Sequence, residues 1–314
     1  MLKKAGIFVI ALAVILSTGY AITPNDTLFE WSVEAERKLA GLSIKQVNIS
    51  DSEMVYLEGG SGEPLVLLHG FGANKDNWNR IALSLTKHYR VIAPDLPGFG
   101  DSSKNIDYDY DVLAQVARLN EFIDTLGLTQ VHIAGNSMGG YIAGNYAAKH
   151  PEKVKSLWLL NPLGVASAKD SEMFTMIRNG EPPVVLARNL PDYEKLISFV
   201  FHNKPFMPDF FVTELAKRAE QSYDIQAKIF DDLHNVAGDK LILSSPLDEA
   251  LISFNKPTLI TWGKQDRILH ADGANKLASK LTNVNVELME NMGHLPMIEA
   301  PKVTANQFLV FAQK

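Results

Sequence analysis

Short, continuously apolar runs recur along this chain, and between them lie stretches whose apolar residues return every three or four positions. The runs at 64–68, 91–93, 131–134, 157–160 and 258–261 have the length of strands buried on both faces. Helical periodicity marks 78–85, 112–126, 141–148, 271–281 and 303–311. Positions 44–49 and 54–57 read as an opening strand pair closed by Gly59-Gly60-Ser61-Gly62, and 286–289 as a late strand. Strands and helices alternating over short connections predict an α/β fold. The expected architecture is an eight-stranded, mostly parallel, doubly wound sheet covered on both faces.

The alternation stops between about Leu163 and Asn255. Helical patterns at 193–201 and 212–234 persist there, without a convincing buried strand. This predicts a helical cap, 164–255, inserted into a core made of 43–163 and 256–314. Its place in the order sets it over the C-terminal edge of the strands, where open α/β sheets bind ligands. Aromatic and aliphatic residues crowd the cap at 197–201 and 206–211. Most serve its own core, and some are expected to line an apolar pocket.

The first 21 positions stand apart. Lys3 and Lys4 precede an uninterrupted apolar stretch from Ala5 to Leu16, and Gly19 and Ala21 sit where a signal peptidase reads small residues. The stretch is shorter than the roughly 20 residues that span a bilayer. Export with cleavage is therefore expected ahead of anchoring. In the linker and amphipathic helix of 22–42, the Leu28-Phe29-Trp31-Val33 cluster offers a means of holding the chain at a membrane interface.

Charge and composition narrow the chemistry. A net charge of −6 with no long basic run argues against nucleic acid as a partner. The absence of cysteine excludes disulfides, thiolate catalysis and Cys-ligated metals. The eight histidines form no His-Glu-x-x-His pattern, so no metal site is expected.

The most informative segment is Gly135-Asn136-Ser137-Met138-Gly139-Gly140, between a strand and an Ala-rich helix. A strand, a Gly-x-Ser-x-Gly turn and a helix form a nucleophile elbow. The turn is so tight that side chains two residues either side of the serine would clash, hence Gly135 and Gly139. The N–H of Met138, at the helix start, would face a developing oxyanion. A serine needs a base, and the base an orienter. Asp266 follows the strand 258–261, and His294 lies in a loop between a strand and the last helix. His69-Gly70-Phe71-Gly72 directly follows another strand and is expected to supply a second oxyanion donor, the N–H of Phe71. His69 is read as bracing this loop, and Asp95 as the structural carboxylate of the turn Asp95-Leu96-Pro97-Gly98-Phe99-Gly100.

Together, His69-Gly70-Phe71-Gly72, the Asp95–Gly100 turn, the Ser137 elbow, Trp262-Gly263-Lys264-Gln265-Asp266 and Gly293-His294 resemble the α/β-hydrolase superfamily. The pattern is similar to bacterial lipase 3-type lipases and to membrane-anchored monoacylglycerol lipases of the abhydrolase group. It runs from about Leu39 to the C-terminus and includes 73–78, 156–159 and 204–208. The resemblance implies Ser137 as nucleophile, Asp266 as acid, His294 as base, and Phe71 and Met138 as oxyanion donors. It implies a serine ester hydrolase acting on a small lipid or ester, with no cofactor, no metal and no obligate protein partner. Asn161 occupies the place where some relatives carry the acid, and an amide cannot fill that role. Carbon–carbon bond hydrolases of the meta-cleavage type share this elbow and triad order, and a non-catalytic binding module is a third reading. Enzymes with an aspartate nucleophile are disfavoured by Ser137.

Overall fold

Strands without a polar face must be covered on both sides, and that requirement organises the molecule. The computed structural model describes residues 23–237 and 240–313. Its main sheet comprises β1 (Leu42–Asn48), β2 (Glu53–Gly59), β3 (Glu63–Leu68), β4 (Tyr89–Pro94), β5 (Val131–Asn136), β6 (Val154–Leu160), β9 (Thr258–Gly263) and β10 (Val284–Met289). The spatial order is β1-β2-β4-β3-β5-β6-β9-β10. β1 and β2 pair antiparallel, as do β2 and β4, and every later pair is parallel. This is the eight-stranded, mostly parallel sheet expected from the apolar runs, and the arrangement that the resemblance to α/β-hydrolases implies.

Alternation along β3 shows how the two faces are filled. Val66 and Leu68 join one core with Ile92, Val116, Phe122 and Ile142, under the helices α3 (Val112–Thr125), α4 (Met138–Lys149) and α10 (Gly273–Ala278). Leu65 and Leu67 join the other with Trp78, Ile81, Leu85, Trp158 and Phe308, under α2 (Asn79–Leu85) and α12 (Pro301–Phe311). Burying each such side chain contributes about 1.5–3 kcal/mol. Trp158 stacks on Phe308 with ring centroids 4.8 Å apart, and its indole N–H donates to Thr261 Oγ1 at 3.0 Å, so this buried ring keeps its donor paired.

Between β6 and β9 lie α5 (Glu172–Arg178), α6 (Leu190–Val200), α7 (Asp209–Gln221), α8 (Tyr223–Leu233) and α9 (Leu247–Ala250). The pattern at 212–234 suggested one helix, but the chain breaks at Ser222, where φ/ψ is −101°/7°. The break lets two apolar stripes serve different neighbours. Val212 and Ala216 belong to α7, whereas Ile229 and Leu233 on α8 drop into the main core. A short antiparallel pair, β7 (Asn235–Ala237) with β8 (Lys240–Ile242), follows α8 and was not anticipated. The helix expected at 271–281 is trimmed to 273–278.

The helix α1 (Asn25–Leu39) precedes the sheet. Phe29 and Val33, grouped in sequence with Trp31 as an interfacial cluster, are instead buried. Phe29 lies 4.6 Å from Phe211 of α7 and under the guanidinium of Arg218, leaving Trp31 exposed. The cluster divides because residues four apart share one helix face, and residues two apart do not. The leader expected at 1–21 lies outside the described residues. Among the described residues no helix is long and apolar enough to cross a membrane.

A buried ion cluster fixes the strand-to-turn connections near the elbow. Lys75, almost fully buried, donates to Asp95 Oδ2 at 2.8 Å and Asp101 Oδ2 at 2.6 Å, and its backbone N–H to Asp95 Oδ1 at 2.7 Å. Burial pulls the ammonium's pKa down, but the two carboxylates outweigh it and hold the pKa above the ordinary lysine value. The Lys75→Met variant leaves the fully buried Asp95 without its counter-ion, and a loss of about 3–5 kcal/mol in urea unfolding is expected.

Candidate active site

The elbow at the end of β5 is built by close approach. Ser137 adopts φ 54° and ψ −118°, a strained backbone for an L-residue. A Cβ on Gly135 would stand 2.1 Å from the carbonyl oxygen of Gly139, and one on Gly139 would stand 2.2 Å from that of Leu68. Only glycine fits at either position. The turn is pinned by Ser137 N–H donating to Leu160 O at 3.1 Å, while Ser137 O accepts from Tyr141 and Leu163 N–H, both at 3.0 Å. α4 begins at Met138, whose N–H therefore has no acceptor within the helix.

The loop after β3 is braced as the sequence suggested. The imidazole of His69 accepts the Leu96 backbone N–H at Nε2 (3.0 Å). Because that partner can only donate, the ring proton sits on Nδ1 and is given to Gly70 O at 2.8 Å. Burial lowers the pKa of His69 and keeps it neutral. Phe71 stands edge-on to Phe99 and Phe230, with centroids 5.7 and 6.0 Å away.

Asp266 and His294, 28 positions apart, meet through Nδ1 and Oδ2 at 2.8 Å. Three further donors hold the carboxylate. Asn161 Nδ2 reaches Oδ2 at 2.6 Å, and the N–H groups of Ile268 and Leu269 reach Oδ1 at 2.8 and 3.0 Å. With Nδ1–H directed at the carboxylate, Nε2 of His294 is left as a base. The histidine loop is itself fastened. His294 N–H donates to Val200 O at 2.8 Å, and Asn136 Nδ2 donates to His294 O at 3.1 Å. Glu299 accepts from Gly293 N–H at 2.9 Å and Asn203 N–H at 2.8 Å.

Ser137 and His294 open onto one cavity of about 200 Å³, which Gly70 and Phe71 also line. Its remaining wall is largely apolar and includes Ile197, Met207 and Phe211 from the segment between β6 and β9, with Phe29 and Val33 from α1. Asp266 lies behind His294, buried and away from the cavity. Ser137, His294 and Phe71 thus line one cavity, with Asp266 hydrogen-bonded to His294 behind it and Met138 following Ser137 at the start of α4.

Sequence reasoning missed several contributors. Asn161, an amide that cannot itself act as an acid, donates to the Asp266 carboxylate. Asn136 and Glu299 carry no motif beyond their neighbours, and the lining role of Phe29 and Val33 had only their helical spacing as a signal. Two other histidines are occupied locally: His132 contacts Glu63 and Ser156 at 2.8 and 2.7 Å, and His270 contacts Asp272 at 2.8 Å. No group of three or more metal-ligating side chains occurs among the described residues.

Residues 63–301 match the family model of the alpha/beta hydrolase fold. This chain belongs to that family. It is 36% identical to Lipase 1 of Psychrobacter immobilis, over 98% of this chain and 95% of that protein. It is 31% identical to monoacylglycerol lipase ABHD6 of Rattus norvegicus, over 88% of this chain and 83% of that protein. It also resembles the crystal structure of a membrane phospholipase A described as a bacterial virulence factor. That match has a TM-score of 0.88 and 40% identity, covering 99% of this chain and 98% of the other. With lipases related over nearly its whole length, this α/β hydrolase is a carboxylic ester hydrolase.

Two outcomes follow from the geometry. Asn161→Ala removes one charge-assisted hydrogen bond from Asp266, and kcat is expected to fall by about tenfold to a hundredfold in steady-state assays with KM little changed. Burial also holds His69, His132 and His234 below the ordinary histidine value of 6.5. The unfolded chain therefore takes up protons first, so stability present above pH 6.5 is lost as pH falls. Thermal midpoints are expected to drop between about pH 7.5 and 5.5, and a rise over that interval would contradict the neutral assignments.

Proposed function

We propose that the hydrolase works through Ser137, His294 and Asp266, with the N–H groups of Phe71 and Met138 as oxyanion donors. The observation that carries this reading is the buried Asp266–His294 hydrogen bond behind a cavity shared by His294 and Ser137. In the proposed cycle Ser137 Oγ attacks the ester carbonyl as its proton passes to His294 Nε2. The oxyanion is held by the two N–H groups until the carbon–oxygen bond to the alcohol breaks. His294 gives its proton to the departing alcohol, and a water repeats the sequence to release the acid. Asp266 stays ionised throughout and stabilises the imidazolium. Removing one oxyanion donor of this kind typically costs about 2.7–4 kcal/mol of transition-state stabilisation. No metal or cofactor takes part in this scheme.

The proposed substrates are monoacylglycerols or short-to-medium-chain lipid esters. The apolar cavity wall supports this, as do lipases among the relatives, including one named for monoacylglycerol. Positions 164–255 act as the cap in this reading. The Lys-Lys start, the apolar stretch and the small residues before position 22 support export to the periplasm or the medium, with association to a membrane surface through the N-terminal segment.

Ser137→Ala is expected to abolish both ester hydrolysis and labelling by a fluorophosphonate probe, with an unchanged circular dichroism spectrum. Undiminished labelling would remove Ser137 from the mechanism. Rates on p-nitrophenyl esters of rising chain length, on monoacylglycerols and on a ring-cleavage dienone test the substrate class, and activity confined to the dienone would overturn the lipid assignment.

A further inference from the structure

The cavity wall carries a phenol that the hydrolytic cycle leaves unused. Tyr193, early in α6, lines the cavity that Ser137 and His294 share. Its neighbours on that wall, Leu196, Ile197 and Val200, offer no hydrogen-bonding side chain. The phenol has no hydrogen-bond or ionic partner among the described residues. Protein encloses the ring, and burial alone pushes its pKa well up, so the group remains a neutral O–H donor and acceptor. The oxygen is not among the buried polar atoms sealed from any probe, and the tyrosine as a whole is half-buried. Tyr193 is thus an accessible, unpartnered phenol on a residue that lines the cavity.

Most other polar groups on the lining are already engaged. Asp76 holds Arg37 through two contacts of 2.6 Å, and Glu36 holds Arg80 at 3.0 Å. Asn74 accepts the Asp76 N–H at 2.9 Å, and Asn136 donates to the carbonyls of Leu160 and His294, both at 3.1 Å. A hydroxyl left unpaired in a dry, apolar site is costly, because it has given up its hydrogen bonds to water without replacement. A substrate that expels water from this cavity without offering a partner incurs that cost, and one bearing a free hydroxyl avoids it.

We propose that Tyr193 is a specificity-determining residue whose phenol hydrogen-bonds a free hydroxyl on the alcohol part of the ester, favouring acylglycerols with unesterified hydroxyls over simple alkyl esters of the same acid. This rests on the ester-hydrolase reading and identifies which part of the substrate that site distinguishes. Tyr193 does not touch the reacting atoms, so the quantity to read is a ratio.

The experiment compares kcat/KM for 1-decanoylglycerol with that for propyl decanoate, the same ester lacking both hydroxyls, in the wild-type enzyme and in Tyr193→Phe. The wild type is expected to prefer the glycerol ester. The variant is expected to lose that preference by about tenfold, chiefly through KM, with the pH profile of kcat unmoved. A ratio that is unchanged in Tyr193→Phe, while the wild type hydrolyses both esters, overturns the assignment of Tyr193 and leaves the ester-hydrolase reading standing. A wild type inactive on both overturns that reading, and this assignment with it. Labelling of Tyr193→Phe by a fluorophosphonate at an undiminished rate confirms that the fold and the nucleophile are intact, so that a changed ratio reports recognition.

Discussion

A single buried negative charge organises the catalytic end of this sheet. The Asp266 carboxylate is removed from water, a transfer that costs several kcal/mol unless donors replace the lost hydration. Four donors do so, and they come from separate parts of the chain: the amide of Asn161 past β6, two backbone N–H groups past β9, and the imidazole of His294 past β10. The strand order makes this convergence possible, because β6, β9 and β10 are consecutive neighbours and run in the same direction. Asn161 N–H donating to Thr261 O at 2.9 Å extends the β6–β9 pairing to the point where the side chains meet. Without the parallel order, the three loops would open at different ends of the sheet.

On the other side of Ser137 a second buried charge plays a comparable part. The Asp95–Lys75–Asp101 cluster ties the turn after β4 to the segment that follows the oxyanion loop. The neutral His69 then joins the two by hydrogen bonds to Leu96 and Gly70. The two clusters treat solvation differently. One presents a polarised imidazole to the cavity. The other spends its charges on one another, a lysine between two carboxylates, and holds backbone in place.

What could be read in the sequence follows from which interactions are local. The strands at 131–134 and 258–261 were legible because full burial demands an unbroken apolar run, and the Ser137 turn was legible because steric exclusion forces glycine at 135 and 139. Asp266 and His294 could be named from their places after strands. Their hydrogen bond could not, because it closes across 28 residues. The break at Ser222 escaped notice because 212–234 is continuously compatible with a helix, and only packing against two different neighbours divides it. Phe29 and Val33 were assigned to a membrane interface for the same reason. An apolar helix face shows that something covers it, without showing what. Asn161 was the most instructive case: its side chain matters through a bond it donates, and an amide in sequence does not reveal its acceptor.

The fastening of the histidine loop has a mechanical implication. His294 hangs by its backbone from Val200, the last residue of α6, while Glu299 clamps Gly293 and Asn203 together. The end of α6 that lines the cavity and the imidazole of His294 are consequently parts of one frame. A lid that swung at this corner would carry the imidazole away from the serine. Any opening of the cavity that leaves His294 in place must therefore come from a part of the rim other than the end of α6.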